Sequence, residues 1–216
     1  MHPYTPTLLM ILATTLAGIP AAHAEEDPWL WLEGVDDPKA LDWVRAENAD
    51  TAERLKASPL FESLYDNALS ALNSESRLPA IEQKGDKIYN YWRGPDHPRG
   101  VLRRTTLEEF SKDNPTWETV IDIDALSEAE GEKWVYKSLD CLPKQPEFCL
   151  ARLSPGGGDA VVIREFDSVA KAFKPEGFNL PLSKGSANWI DQDTLFVSTD
   201  FGEGSMTASG YPRIVK

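Results

Sequence analysis

The apolar positions of this chain change period once along its length. Leu41, Val44, Asn48, Ala52 and Leu55 recur at intervals of three and four, the spacing that puts side chains on one face of a helix. Asp37-Pro38 predicts where that helix starts, as an Asx cap followed by proline at the first helical position, and the pattern runs out near Ala57. Ser58-Pro59 repeats the start signal, and Leu60, Phe61, Leu64, Tyr65, Ala68, Leu69 and Leu72 predict a second, more apolar helix. Two helices with apolar stripes need a partner surface. Ahead of them, Pro28 fixes its own φ and disfavours helix at Asp27, so residues 25–33 are expected to be extended. Trp29, Leu30 and Trp31 make an apolar run there that something should cover.

After Asn73 the period falls to two. Leu78 to Glu82, Lys87 to Trp92, Gly100 to Thr106 and Trp117 to Ile123 are runs of β-branched and aromatic residues parted by Gly85-Asp86, Gly94-Pro95-Asp96 and Asp113-Asn114-Pro115. A second set follows: Lys133 to Leu139, Phe148 to Leu153, Ala160 to Phe166 and a weak return at Val169 to Phe173, with the turn Ser154 to Asp159 inside it. A third begins with Ala187 to Ile190 and Thr194 to Thr199 across Asp191-Gln192-Asp193. Repeated four-stranded units of about fifty residues predict a β-propeller, and a β-sandwich is the rival reading of the strands alone. Two to three such units would leave a sheet face and an edge uncovered, because a propeller closes by packing its last blade on its first.

Charge and leader narrow the setting. The net charge of −13 over 216 residues argues against a phosphate-binding surface, so no nucleic-acid partner is expected. Leu8 to Gly18 is an apolar core of about eleven residues, Pro20 breaks it, and Ala22-His23-Ala24 offers the small residues of a signal-peptidase site. Residues 1–24 therefore read as a signal peptide for export to the periplasm or beyond, although the n-region has no Lys or Arg. The apolar run is too short to cross roughly 30 Å of hydrocarbon, so no membrane span is expected. In an exported chain Cys141 and Cys149 are disulfide candidates, closing a loop worth roughly 2.5 kcal/mol of chain entropy. A zinc site at these two cysteines is the weaker alternative, for want of further Cys or His ligands.

Residues 27–48 carry a more specific signal. Asp27-Pro28, Trp31-Leu32-Glu33, the Asp37-Pro38 helix start and Trp43-Val44 with Glu47-Asn48, in that order, resemble the entry segment of the prolyl oligopeptidase family of serine peptidases. The resemblance implies a mainly β fold with N-terminal helices. It implies a helical segment, 25–75, that packs on an α/β-hydrolase domain missing from this sequence. It also implies a partial propeller, 76–216, made of the first two to three of seven blades. The implied activity is serine-type endopeptidase hydrolysis of short peptides by the parent enzyme, with the catalytic triad downstream of Lys216. This chain would then be inactive alone and need no cofactor or metal. A stand-alone periplasmic binding module derived from such a peptidase is the other reading.

The residues present agree with the lack of a catalytic site. The Gly-x-Ser-x-Gly turn of an α/β-hydrolase nucleophile does not occur; Gly204 to Gly210, with Ser205 and Ser209, resembles it only superficially. His97 lies in the proline-bracketed stretch Gly94 to Gly100 and reads as an exposed hairpin-loop residue, with Asp96 beside it in no triad orientation. Glu108-Glu109, Glu128 to Glu132, and Asp191 with Asp193 read as solvated charge in turns and connections. Gly156-Gly157-Gly158 reads as a turn, since neither lysine nor helix follows as a phosphate loop requires.

Overall fold

The helices start where the Asx-Pro pair places them. In the computed structural model, which describes residues 27–74 and 76–216, α1 spans Pro38–Lys56. The Asp37 carboxylate caps it, accepting from the N–H groups of Lys39 at 2.7 Å and Ala40 at 3.3 Å. The second helix, α2, spans Phe61–Leu72. Contacts divide the described residues into two units, one ending at Glu62 and the other running Ser63–Lys216, with the division inside α2. The expected signal peptide lies outside the described residues.

Residues 30–33 are not extended. Leu30–Glu33 forms a 3-10 turn, because the Asp27 carboxylate takes the Trp29 N–H and the Trp29 carbonyl takes the Leu32 N–H. Pro28 restrains only the residue before it and its own φ.

Among the described residues three antiparallel sheets follow. The first is a meander of β1 (Ile81–Lys84), β2 (Lys87–Gly94), β3 (His97–Thr106) and β4 (Glu118–Asp122) in that order. The second runs β5 (Trp134–Leu142), β6 (Gln145–Pro155), β7 (Val161–Asp167) and β8 (Ala172–Phe173), with β9 (Asn179–Ser183) also on β7. The third pairs β10 (Ser186–Asp191) with β11 (Thr194–Ser198).

Several expectations need correction. The first strand begins at Ile81 rather than Leu78, because pairing with β2 starts at Ile81↔Asn90 and Leu78 stands 95% exposed. The weak return at 169–173 supplies only two paired residues, and β9 completes the outer position on β7. Pro181 in its middle obscured that strand, since a proline is tolerated only where no ladder N–H is needed. Two short helices stand where turns or connections are expected: α3 (Leu107–Phe110), capped by Thr106, and α4 (Ile123–Glu130), capped by Asp122. At four and eight residues they are too short to show a helical period. Gly131, at φ +67, ends α4 in the left-handed conformation usual for a glycine there.

The core lies between sheets, and β6 shows why. Its side chains alternate, so Cys149, Ala151 and Leu153 join Tyr89, Leu102, Ile121 and Ile123 from the first sheet and its helix, together with Phe166 of β7. Leu150 points the other way and packs with Val161, Ile163, Ala187 and Leu195. Both faces of the second sheet are therefore buried. A polar link joins the first two sheets: Arg104 of β3 donates to the Glu118 carboxylate, the Tyr89 hydroxyl and the Ser168 carbonyl beyond β7.

The Cys141 and Cys149 sulfurs are bonded, across directly paired positions of β5 and β6. The connecting turn has Pro143 followed by Lys144 at φ +66, with Leu142 paired to Gln145. A proline and then a positive φ is the pattern of a type II turn, whose third position favours glycine or asparagine. Lys144→Asn is expected to raise stability by about 0.5–1 kcal/mol, because asparagine tolerates that conformation better than lysine does. The midpoint of urea unfolding reads the gain, and an unchanged or lower midpoint would refute it.

Candidate functional site

The residues that could carry peptidase chemistry are occupied by structural work. Ser205 is 2% exposed; its hydroxyl contacts the Gly202 carbonyl and the Asp200 carboxylate and accepts the Phe201 N–H. Each partner lies in its own loop, and none is the histidine that activates a serine nucleophile in the triad. The Ser209 hydroxyl pairs with that of Thr207. The acidic runs divide likewise. On α4, Glu130 holds Arg164 through both oxygens at 2.8 and 2.9 Å and takes the Trp134 indole N–H; the hydrogen bonds from Arg164, first of all, hold the Glu130 carboxyl below its usual pKa. On α3, Glu109 pairs with Lys112. Asp191 accepts the Asp193 N–H within the β10–β11 turn.

His97 is not the exposed loop residue expected. Gly94 pairs with His97, so the turn is Pro95-Asp96 and the imidazole belongs to the first position of β3, half-buried. Its neighbour is Asp122 rather than Asp96, with Nδ1 at 3.5 Å from Oδ2. Asp124, in the first turn of α4, accepts from the N–H groups of Arg99 and Gly100 at 3.1–3.2 Å. Gly100 stands at φ +108, and a Cβ there would run into the Tyr91 hydroxyl, which donates to the Arg99 carbonyl. Among the described residues these three side chains form one group able to hold a metal ion. Sequence reasoning missed Asp122 and Asp124, because register rather than local spacing brings them to His97.

Surfaces are the other resource. Within the first unit Trp29, Trp31 and Trp43 meet with ring centroids 6.0–6.3 Å apart, and Lys39 lies over Trp31 at 4.3 Å. Trp29 and Leu30 remain about half exposed, at 54% and 52%. In the second sheet a groove of about 820 Å³ opens between β8 and β9, lined by Phe148, Phe173 and Phe178 with Glu165, Glu176 and Asp193. No helix among the described residues is long and apolar enough to cross a membrane.

Similar proteins share the architecture. The chain is 40% identical over 198 residues to an uncharacterized peptidase of Sinorhizobium fredii, covering 91% of this chain and 27% of that protein. It is 29% identical over 192 residues to an uncharacterized peptidase of Rickettsia prowazekii, covering 85% and 26%. It thus spans about a quarter of the length of these relatives. Among solved structures, a post-proline cleaving enzyme from Rickettsia typhi matches with a TM-score of 0.80 at 29% identity, over 86% of this chain and 28% of that one. The family model described as the prolyl oligopeptidase N-terminal beta-propeller domain matches residues 19–213. With its antiparallel sheets stacked in sequence order and its entry helices ahead of them, the chain belongs to the prolyl oligopeptidase family, through that family's N-terminal β-propeller domain.

Proposed function

We propose that this chain is the entry segment and first propeller blades of an exported prolyl-oligopeptidase-like serine endopeptidase acting on short peptides. Residues 1–24 would be its signal peptide, 25–75 the helical segment that packs on an α/β-hydrolase domain, and 76–216 the first two to three of seven blades. The observation that carries the reading is the likeness to the Rickettsia typhi enzyme at a TM-score of 0.80. The stacked sheets would do their work by access control, since a propeller over a catalytic domain excludes water and admits only substrates small enough to pass. The tryptophan cluster and the exposed Leu64, Leu69 and Leu72 of α2 supply apolar area for a catalytic domain to cover.

The purified 216-residue chain is expected to release no product from a blocked Gly-Pro chromogenic anilide. A reading frame that continues beyond Lys216 into further blades and a Gly-x-Ser-x-Gly segment would support the proposal. Turnover by the chain itself, abolished by a serine-directed fluorophosphonate, would overturn its being inactive alone. A stop codon after Lys216, with cooperative urea unfolding seen alike by circular dichroism and tryptophan fluorescence, would favour a stand-alone binding module instead. The aromatic and acidic groove beside β8 and β9 gives that second reading a binding surface.

A further inference from the structure

The group around His97 carries a proposal independent of the peptidase reading. Asp122 spends Oδ1 on capping α4, accepting from the Ala125 N–H at 3.0 Å, and its Oδ2 faces the imidazole. One ligand atom each from His97, Asp122 and Asp124 lies within 4.8 Å of the others. Two half-buried carboxylates thus stand close together, and among the described residues neither has a lysine or arginine within ion-pair distance. Arg99, the nearest in sequence, turns its guanidinium to the Trp134 carbonyl.

We propose that His97, Asp122 and Asp124 bind one divalent transition-metal ion, zinc foremost, which clasps the first residue of β3 to the β4–α4 junction. The spacing supports it. A tetrahedral zinc holds N and O ligands at about 2.0–2.2 Å, which puts two ligand atoms about 3.3–3.5 Å from each other. His97 Nδ1 and Asp122 Oδ2 stand 3.5 Å apart, at ligand spacing and beyond a good hydrogen bond. Imidazole with carboxylate suits zinc and its neighbours, whereas calcium asks for six or more oxygens. The surrounding backbone already orients the oxygens: Ala125 fixes one carboxylate, and Arg99 with Gly100 fixes the other. The remaining position would be taken by water. The ion would staple together segments 25 residues apart.

Calorimetric titration of the full chain with zinc chloride, in buffer free of chelators, tests this. No thiol competes, because both cysteines are bonded to each other. His2 and His23 are the other imidazoles in the sequence, so the background protein carries His2→Ala and His23→Ala. It should bind one ion per chain and melt at a higher temperature with zinc than with magnesium. His97→Gln should abolish both effects while leaving the circular dichroism spectrum unchanged. Asp122→Asn, which keeps the helix cap, should do the same. No saturable binding, or equal binding by the His97→Gln protein, would overturn the site, as would binding of calcium in preference to zinc. None of these outcomes bears on whether the parent is a peptidase.

Discussion

Replacing Phe166 with alanine is expected to lower the unfolding free energy by about 3–5 kcal/mol, the largest loss for any single truncation considered for this chain. The ring is 2% exposed and lies where the second sheet meets the first, in one cluster with Leu139, Leu153, Tyr89 and Ile123. Phe173 of β8 meets it edge-on at 5.1 Å, so the truncation also removes an aromatic pair. The neighbours cannot close over the gap easily. Leu153 and Cys149 sit on a central strand paired on both sides, and Cys149 is further tied to Cys141. A cavity that cannot collapse falls at the upper end of the range. Urea unfolding followed by tryptophan fluorescence would report it, as Trp134 belongs to the same cluster. The matched control is Val169→Ala at a 61%-exposed position near β8, where a change within about 0.5 kcal/mol is expected. Equal effects at the two positions would mean that the first two sheets do not unfold as a packed pair.

The contrast between Phe166 and His97 shows how much of this chain is legible in its sequence. Phe166 belongs to an apolar run expected as a strand, and β7 occupies Val161–Asp167. Such runs stand out because sheets packed on both faces demand apolar side chains at successive positions, as at Cys149, Leu150 and Ala151. The α1 start was legible for a local reason, since the Asp37 cap acts within three residues. What stayed hidden depends on distance or on brevity. Asp122 lies opposite Val101 in the β3–β4 ladder, and only that register carries it toward His97. Sequence spacing holds no trace of the meeting. The α3 and α4 helices are too short to declare a period, and Pro181 disguised β9 as a loop. The family itself was legible in the order of elements across residues 27–48, and the matching family model covers residues 19–213.

Arg104→Met is expected to cost about 2–3 kcal/mol near neutral pH, more than its lost methylene packing would suggest, because it strands partners on both of the first two sheets. The guanidinium donates to Glu118 at 2.7 Å, to the Tyr89 hydroxyl at 3.2 Å and to the Ser168 carbonyl at 2.7 Å. Methionine fills similar volume but offers none of these donors. Part of the loss must depend on pH. Glu118 is lowered to about 2, first by its hydrogen bond from Arg104 and then by that from Lys171. A depressed carboxylate contributes stability that is fully present above its unfolded value of about 4.5 and is lost as pH falls from there through about 2. The carboxylate is about half exposed, so water screens the pair and about 1 kcal/mol is a reasonable size for this share. The stability difference between wild type and variant should therefore narrow by about that amount between about pH 6 and pH 2.5, while the share from Tyr89 and Ser168 persists. A difference that stays constant across this range would remove Glu118 from the account. A difference that vanishes entirely would make the Arg104–Glu118 pair within the first sheet, rather than the link to Ser168, the whole of the Arg104 contribution.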